Sequence, residues 1–223
     1  MLEFFSYYQG IELFVICTSF LIAVIFALSI HEFAHSFVAN IQGDPTSKMV
    51  GRMTLNPLKH IDPIGFLCLM LFGFGWAKPV PINSLRFKDY RKGIFLTSIA
   101  GICANIIFSF ISCGLLVVIF RFNGVTMLTY GSQLMNMLFY ILYFSITINL
   151  GLALFNILPV PPLDGFNCLS SLCKGNSFLD FMKKYGYFIL LIVILFGFLN
   201  ILFTNVYSFV IPAFTNFWQY IFF

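Results

Sequence analysis

Residues 13–40 of the 223-residue chain read LFVICTSFLIAVIFALSIHEFAHSFVAN, and this stretch decides the fold class. About 20 consecutive apolar residues are enough for a helix to cross the hydrocarbon core of a bilayer. Only His31, Glu32 and His35 interrupt the stretch with acidic or imidazole side chains, and all three lie near its end. The stretch therefore predicts a transmembrane helix that carries a polar cluster close to one membrane face.

The composition of the whole chain supports a membrane protein. Hydrophobic residues make up 60% of the sequence, aromatic residues 19% and charged residues 9%, whereas about a quarter of the residues of a soluble domain are charged. A soluble fold of this composition would expose large apolar patches, and a disordered chain would be far more polar. The sequence has no basic run that would indicate a nucleic-acid partner. Its six cysteines form no CxxC pair, which favours apolar packing residues over a disulfide or zinc-thiolate framework.

Three further apolar stretches are long enough to cross the bilayer. They cover residues 94–120, residues 134–158 with a continuation after a proline break to 173, and residues 186–210. We predict an all-α polytopic membrane protein of about four transmembrane helices, folded as one membrane-embedded domain over residues 1–223. Residues 63–77 are apolar but too short to cross, so we expect a re-entrant or interfacial segment there.

The basic residues predict the orientation of the chain in the membrane. Eight of the twelve Lys and Arg lie between the first and second spans, and three lie between the third and fourth. Because Lys and Arg concentrate in cytoplasmic loops, both of these loops should be cytoplasmic. Both termini are then expected on the outer face.

The loop over residues 41–93 is long enough to have structure of its own. Residues 49–55 and 77–83 are β-compatible pieces separated by Gly and Pro, so short strands are expected on the cytoplasmic side. Pro79 and Pro81 would restrict the second strand to an edge. An edge strand at residues 76–83 could pair with an extended substrate by β-augmentation, and an ordinary amphipathic loop on the membrane is the alternative.

The sequence His31-Glu32-Phe33-Ala34-His35 is an HExxH motif near the end of the first span. A spacing of four places both imidazoles on one helix face, where two neutral histidines can bind one Zn²⁺. Glu32 points about 100° around the helix and can reach a metal-bound water rather than the metal. Each ionisable group at membrane depth costs about 2.5–3.5 kcal/mol, so its presence calls for a functional partner. This cost favours a zinc hydrolase site over the alternative of helix-packing histidines with a buried Glu.

A catalytic zinc usually has three protein ligands and leaves the fourth position to water. Asp164 stands out as the third ligand because it follows 42 uncharged residues and a break with three prolines in four positions. At membrane depth such a break is tolerated only inside protein or beside a water-filled cavity. At 1.5 Å per helical residue, the motif and Asp164 both lie roughly 8–15 Å from the cytoplasmic edge. His60 is the competing third ligand, although its loop position favours an exposed or capping histidine.

Three segments of the chain resemble the site-2 protease family of intramembrane zinc metalloproteases. They are the HExxH motif, residues 156–165 (NILPVPPLDG), and residues 56–65 (NPLKHIDPIG) followed by 75–81 (GWAKPVP). The last two look like the compact bacterial and archaeal branch, which lacks PDZ and CBS domains. The resemblance covers most of the chain, from about residue 11 to about residue 205.

The resemblance implies that His31, His35 and Asp164 bind one Zn²⁺ and that Glu32 is the catalytic acid/base. It also implies an enzyme of the prokaryotic inner membrane that hydrolyses peptide bonds of membrane-anchored or transmembrane protein substrates near the cytoplasmic side of the bilayer. The family often carries Ala-Gly-Pro-x-x-Asn in its middle core helix, whereas residues 100–105 of this chain read AGICAN. Without the proline, Asn105 could have an active-site role, or the small residues around it could form a helix-packing surface.

Two other functions use the same residues differently. A transporter or metal-binding membrane protein could use the His, Glu and Asp cluster to bind or conduct a cation or protons. It does not explain the placement of Glu32 between two histidines four residues apart, and the chain has no internal repeat of the transporter kind. A relative that binds transmembrane helices without cutting them is disfavoured because all four expected catalytic positions are filled.

Overall fold

The structure, a computed structural model, describes residues 9–72, 75–123, 133–173 and 177–222. The described elements are helices, and four of these helices are long and apolar enough to cross a membrane, so the all-α polytopic prediction is confirmed. The helices are α1 (Gly10–Gln42), α2 (Thr46–Met49), α3 (Pro63–Phe72), α4 (Tyr90–Asn123), α5 (Gln133–Asn156), α6 (Asp164–Leu172), α7 (Ser177–Leu195) and α8 (Phe198–Phe222). The four candidate spans are α1, α4, α5 and α8.

Helices α1, α4 and α5 pack against one another and form the centre of the bundle. One buried cluster contains Phe20 and Val24 of α1 and Phe144 of α5, with the two phenylalanine rings edge to face at 5.5 Å. Polar contacts also join the helices: the Ser109 hydroxyl of α4 donates to the Ile146 carbonyl of α5 at 2.9 Å. Small and hydroxyl-bearing residues allow such close helix approach inside a membrane.

The start of α1 and the end of α8 lie at one end of this bundle. The Ser19 hydroxyl of α1 donates to the Met137 carbonyl in the first turns of α5, and Phe222 of α8 borders a cavity with Phe122 at the end of α4. The HExxH motif and the end of α5 are at the opposite end. The functional groups predicted from the sequence therefore collect at one end of the bundle.

The fourth predicted span differs in the structure. Residues 186–210 were expected to form one helix, but α7 ends at Leu195 and α8 begins at Phe198. Gly197 lies between them with φ +71°, a left-handed backbone conformation that terminates helices and that Gly adopts without steric cost. The candidate span is α8, Phe198–Phe222. A continuous apolar run does not reveal such a break.

The loop between α1 and α4 also differs from the expectation. Neither residues 49–55 nor residues 77–83 form a strand, and an isolated antiparallel bridge joins Ile61 to Ala77. Pro79 and Pro81 have no backbone N–H, so this segment cannot form a regular ladder. The apolar segment after Asp62 is the ten-residue helix α3, whose first turn is capped by the Asp62 carboxylate. Its re-entrant placement in the bilayer stays a prediction.

Residues 77–83, here called the strap, are held in place by groups from the rest of the loop. The backbone N–H of Lys78 donates to the His60 carbonyl at 2.8 Å, and the Arg52 guanidinium donates to the Lys78 carbonyl at 2.7 Å. Further along, the Ser47 hydroxyl donates to the Pro81 carbonyl. These contacts fix the strap along its length without a sheet.

Asp44, which is 1% exposed, anchors the far end of the strap. Its carboxylate accepts hydrogen bonds from the Asn83 backbone N–H at 2.6 Å and from the backbone and hydroxyl of Thr46. Burial raises the pKa of the Asp44 carboxyl, but these hydrogen bonds and the charge of Arg86 outweigh burial and leave the pKa lowered. The strap therefore depends on an ionised carboxylate at residue 44.

Candidate metal centre

Helix α1 places the two histidines of the motif on adjacent turns with their rings perpendicular to each other. Their Nε2 atoms are 2.9 Å apart. Both residues are 7% exposed, so the pair is buried in the bundle near the end of α1. The four-residue spacing thus brings His31 and His35 to a common point, as the sequence predicted.

Asp164 is the first residue of α6, directly after the proline-rich break that follows α5. Its Oδ2 atom lies 3.2 Å from His31 Nε2 and 3.2 Å from His35 Nε2. Among the described residues, these three form the group of His, Cys, Asp and Glu side chains close enough to share a metal ion. The structure brings together the residues that the HExxH motif and the break singled out.

His60 does not join this group. Its ring is 2% exposed, and Nε2 lies 2.8 Å from the Thr54 carbonyl. Of the two alternatives expected for His60, exposure is wrong because the loop folds over the residue, whereas a capping position is found: His60 is the C-cap of the 3₁₀ turn Pro57–Lys59.

The partners of the two histidines determine which ring nitrogen carries the proton. His35 Nδ1 lies 2.7 Å from the Thr97 carbonyl, which can only accept, so Nδ1 is the donor. His31 Nδ1 lies 2.8 Å from the Asn105 side-chain oxygen, which also accepts. In the neutral rings both Nε2 atoms are then unprotonated and face the Asp164 carboxylate. Three acceptor atoms without protons between them repel one another, and a cation bound between them would offset this repulsion.

The donor set fits zinc. In a tetrahedral site with bonds of about 2.0–2.1 Å, neighbouring ligand atoms are about 3.3–3.4 Å apart, and the three atoms here are separated by 2.9–3.2 Å. Imidazole nitrogen and carboxylate oxygen are both common zinc ligands. Three protein ligands leave the fourth position open, which is the pattern of catalytic rather than structural zinc.

Glu32 lies beside the three donors but is not one of them. Its Oε2 atom accepts a hydrogen bond from the Val80 backbone N–H of the strap at 2.8 Å. Glu32 also borders a cavity of about 780 Å³ that is lined by His31, His35 and Asp164. The carboxylate is thus held at the wall of the cavity into which the metal centre faces.

Helix α4 supplies the other wall of the centre. A methyl group added to Gly101 would lie 2.6 Å from His31 Cε1 and 2.6 Å from His35 Nε2, so only a glycine fits there. Asn105, 0% exposed, contacts His31 directly. Gly101 thus packs closely against both histidines and the Asn105 amide reaches His31, while an active-site role of Asn105 stays a prediction. Thr97 and Val80 were missed because they act through backbone atoms, which leave no signal in a sequence.

The sequence of this chain is similar to those of known proteins. The profile of peptidase family M50 matches residues 19–199. The chain belongs to this family, that of the site-2 proteases. The chain is 40% identical over 174 residues to the Bacillus subtilis (strain 168) protein named "Putative zinc metalloprotease YwhC", covering 77% of this chain and 78% of the relative. It is 24% identical over 187 residues to "Putative zinc metalloprotease Rip2" of Mycolicibacterium smegmatis (strain ATCC 700084 / mc(2)155), covering 78% of this chain and 65% of that relative. No solved structure matches the chain significantly.

Membership of the M50 family confirms the resemblance drawn from the three sequence segments. The chain is an intramembrane zinc metalloprotease, and Zn²⁺ is its cofactor. Four apolar helices identify it as an integral membrane protein. The family and the buried donor set lead independently to the same metal.

Proposed function

We propose that this M50 protease hydrolyses peptide bonds of membrane-anchored or transmembrane proteins near the cytoplasmic face, using His31, His35 and Asp164 as zinc ligands and Glu32 as acid and base. The observation that carries the proposal is the meeting of two imidazole nitrogens and one carboxylate oxygen, 2.9–3.2 Å apart, with Glu32 at the wall of the same cavity. A structural zinc site would have a fourth protein ligand and would not need the glutamate.

Each side chain has a separate task in this proposal. Bound zinc supplies a Lewis acid and lowers the pKa of a coordinated water toward about 7. Glu32 takes the proton of the attacking water and then delivers it to the leaving amine. The Val80 N–H donates a hydrogen bond to Oε2 of Glu32, which leaves the other carboxylate oxygen to take the proton of the attacking water. His31, His35 and Asp164 hold the metal beside the cavity.

The strap is the proposed docking element for the substrate. A helical substrate hides its carbonyl groups in backbone hydrogen bonds, so the scissile segment has to be extended before it is attacked. Pro79, Val80 and Ile82 of the strap line the same cavity as the metal centre. An extended segment can hydrogen-bond to part of the strap backbone, as in β-augmentation, although Pro79 and Pro81 exclude a regular ladder.

The proposed location is the prokaryotic inner membrane, since both named relatives are bacterial, and the charge distribution supports a cytoplasmic position for the metal centre. Basic residues concentrate in the loop that joins α1 to α4, which lies at the HExxH end of the bundle. By the positive-inside tendency this end faces the cytoplasm, and the start of α1 and the end of α8 face outward.

The first test combines metal content with cleavage of a single-span model substrate by the purified full chain in detergent. The native chain should carry about one zinc and cut the substrate. Glu32→Gln should retain zinc and lose cleavage, because the amide cannot accept the proton. Native protein without zinc, or cleavage by Glu32→Gln, would contradict the mechanism and favour a transporter or a scaffold.

The third ligand is tested with a pair of variants. Asp164→Ala should lose zinc and cleavage, because it removes one of three donors. His60→Ala should keep zinc, because the ring bonds to Thr54 and lies outside the donor group. Zinc retained by Asp164→Ala but lost by His60→Ala would move the ligand assignment to His60.

A further inference from the structure

A series of hydrogen bonds joins α5 to the metal centre through two buried asparagines. Asn149 Nδ2 donates to the Ser145 carbonyl at 2.8 Å. Asn105 Nδ2 donates to Asn149 Oδ1 at 2.9 Å, and Asn105 Oδ1 lies 2.8 Å from His31 Nδ1. Both asparagines are 0% exposed. We call the series Ser145, Asn149, Asn105 and His31 the asparagine relay.

The relay has one self-consistent direction. The Ser145 carbonyl can only accept, so Asn149 must turn its NH₂ group toward it. Asn149 then presents its oxygen to Asn105, which must donate with its own NH₂ group. The Asn105 oxygen is left for His31, and this oxygen has no proton to give. His31 must therefore carry its proton on Nδ1, so that a backbone carbonyl on another helix selects the tautomer.

We propose that Asn149 is a positioning residue for zinc binding, acting through Asn105 to hold His31 in the tautomer whose Nε2 lone pair faces the metal centre. The inference rests on the proposed role of His31 as a zinc ligand. Without Asn149, the Asn105 amide can rotate and present its NH₂ group to His31. His31 would then keep its proton on Nε2 and point a donor at the metal position. The Ala27 carbonyl, 3.5 Å from Asn105 Nδ2, is at the outer limit of a hydrogen bond and holds the amide only weakly.

The second histidine shows why the relay matters for one ligand only. His35 Nδ1 donates directly to the Thr97 carbonyl, so no other side chain is needed to fix the tautomer of His35. Removal of Asn149 should therefore affect His31 and leave the orientation of His35 unchanged. Groups that orient metal-binding histidines typically contribute 10- to 100-fold to metal affinity.

The chain offers a matched control. The Ser109 hydroxyl on α4 donates to the Ile146 carbonyl on α5 at 2.9 Å and is also 0% exposed. This bond joins the same two helices as the bond between Asn105 and Asn149, but it does not lead to a metal ligand. Ser109→Ala therefore reports the loss of a buried bond between α4 and α5, whereas Asn149→Leu reports the same loss together with the relay.

The experiment measures the zinc dissociation constant of the full chain in detergent by competition with a chelator, alongside thermal stability. Asn149→Leu should weaken zinc binding about 10-fold or more, and Ser109→Ala should change it by less than about twofold, although both should lower the melting temperature. Asn105→Asp gives a second control, because a carboxylate can only accept from His31. Adding Asn149→Leu to Asn105→Asp should then weaken zinc binding no further.

Three results would overturn the relay while leaving the protease function in place: native zinc affinity in Asn149→Leu, equal weakening in Ser109→Ala, or further weakening in the double variant. If the native chain binds no zinc, the proposed function fails instead. The relay is then decided by ¹⁵N NMR of His31 in the metal-free chain. The Nδ1–H tautomer should be present in the native chain and lost in Asn149→Leu, and the same tautomer in both would reject the relay.

Discussion

Replacement of Gly101 by alanine should disable the metal centre without removing any ligand. The added methyl carbon would lie 2.6 Å from His35 Nε2, 2.6 Å from His31 Cε1 and 2.7 Å from His31 Nδ1. Non-bonded atoms are comfortable at about 3.5 Å or more, so the rings or α4 must move by about 0.9 Å. A misplacement of about 1 Å at a catalytic site can cost about 100-fold in rate, and we expect kcat/KM to fall by about that factor. Zinc affinity should fall as well.

Gly114→Ala is the matched control for this prediction. Gly114 lies on the same helix, and its added methyl would be 2.6 Å from the Trp218 ring, far from the metal centre. Both variants overpack an interface of α4, so each should lose about 1–3 kcal/mol of stability. Cleavage of the model substrate, zinc content and thermal unfolding are measured for both. Native activity in Gly101→Ala, or an equal loss of activity in Gly114→Ala, would refute the inference that Gly101 makes room for the zinc ligands.

Two other contacts predict specific changes. Val80→Pro removes the backbone N–H that holds Glu32. Because a hydrogen bond to a charged group contributes about 1.5–3 kcal/mol, kcat should fall about tenfold or more while the zinc content is kept. Val80→Ala keeps the N–H and should stay active, and equal activity of the two variants would contradict the role of this N–H in holding Glu32. The pKa of the Asp44 carboxyl is lower in the folded chain than in the unfolded chain, where it is about 4. The ionised carboxylate therefore stabilises the fold fully above about pH 4, and this stabilisation is lost as the pH falls through the pKa of the folded chain. Asp44→Asn should therefore lower the melting temperature near pH 7 and differ less from the native chain below about pH 4, and a difference that does not depend on pH would refute this account.

The sequence carried enough information to predict the membrane class and the three metal-binding candidates. Helix periodicity fixes the relation of His31 to His35 because both lie on one uninterrupted helix. Asp164 could be found because a charge after a long apolar run and a proline break has a large cost unless it has a partner. These features are local, and local features are read directly from the order of residues.

The remaining features depend on contacts that a single sequence does not encode locally. Gly197 ends α7 because its backbone is left-handed, while the residues from 188 to 199 around it are otherwise apolar. The strap was expected to be a strand because its residues are β-compatible, but its backbone bonds to the His60 carbonyl, to side chains of the loop and to Glu32 of α1 rather than to a neighbouring strand. His60 was expected to be exposed or to cap a turn because its neighbours in sequence are charged, and it caps the turn Pro57–Lys59 but is buried. In each case tertiary packing determines the result, and local pattern is a poor guide to it.

One face of α4 explains why the site tolerates the absence of the proline that the family often has. Thr97, Gly101 and Asn105 recur every four residues and therefore lie on one stripe, which faces the HExxH motif and contacts both histidines. Ile102 stands at the position of the proline, is 2% exposed, and lies within a helix that is continuous from Tyr90 to Asn123. The site requires three things of α4 at successive turns: the Thr97 carbonyl, the space beside Gly101 and the Asn105 side-chain amide. A regular helix delivers all three, so the local backbone does not need a proline to orient the ligands.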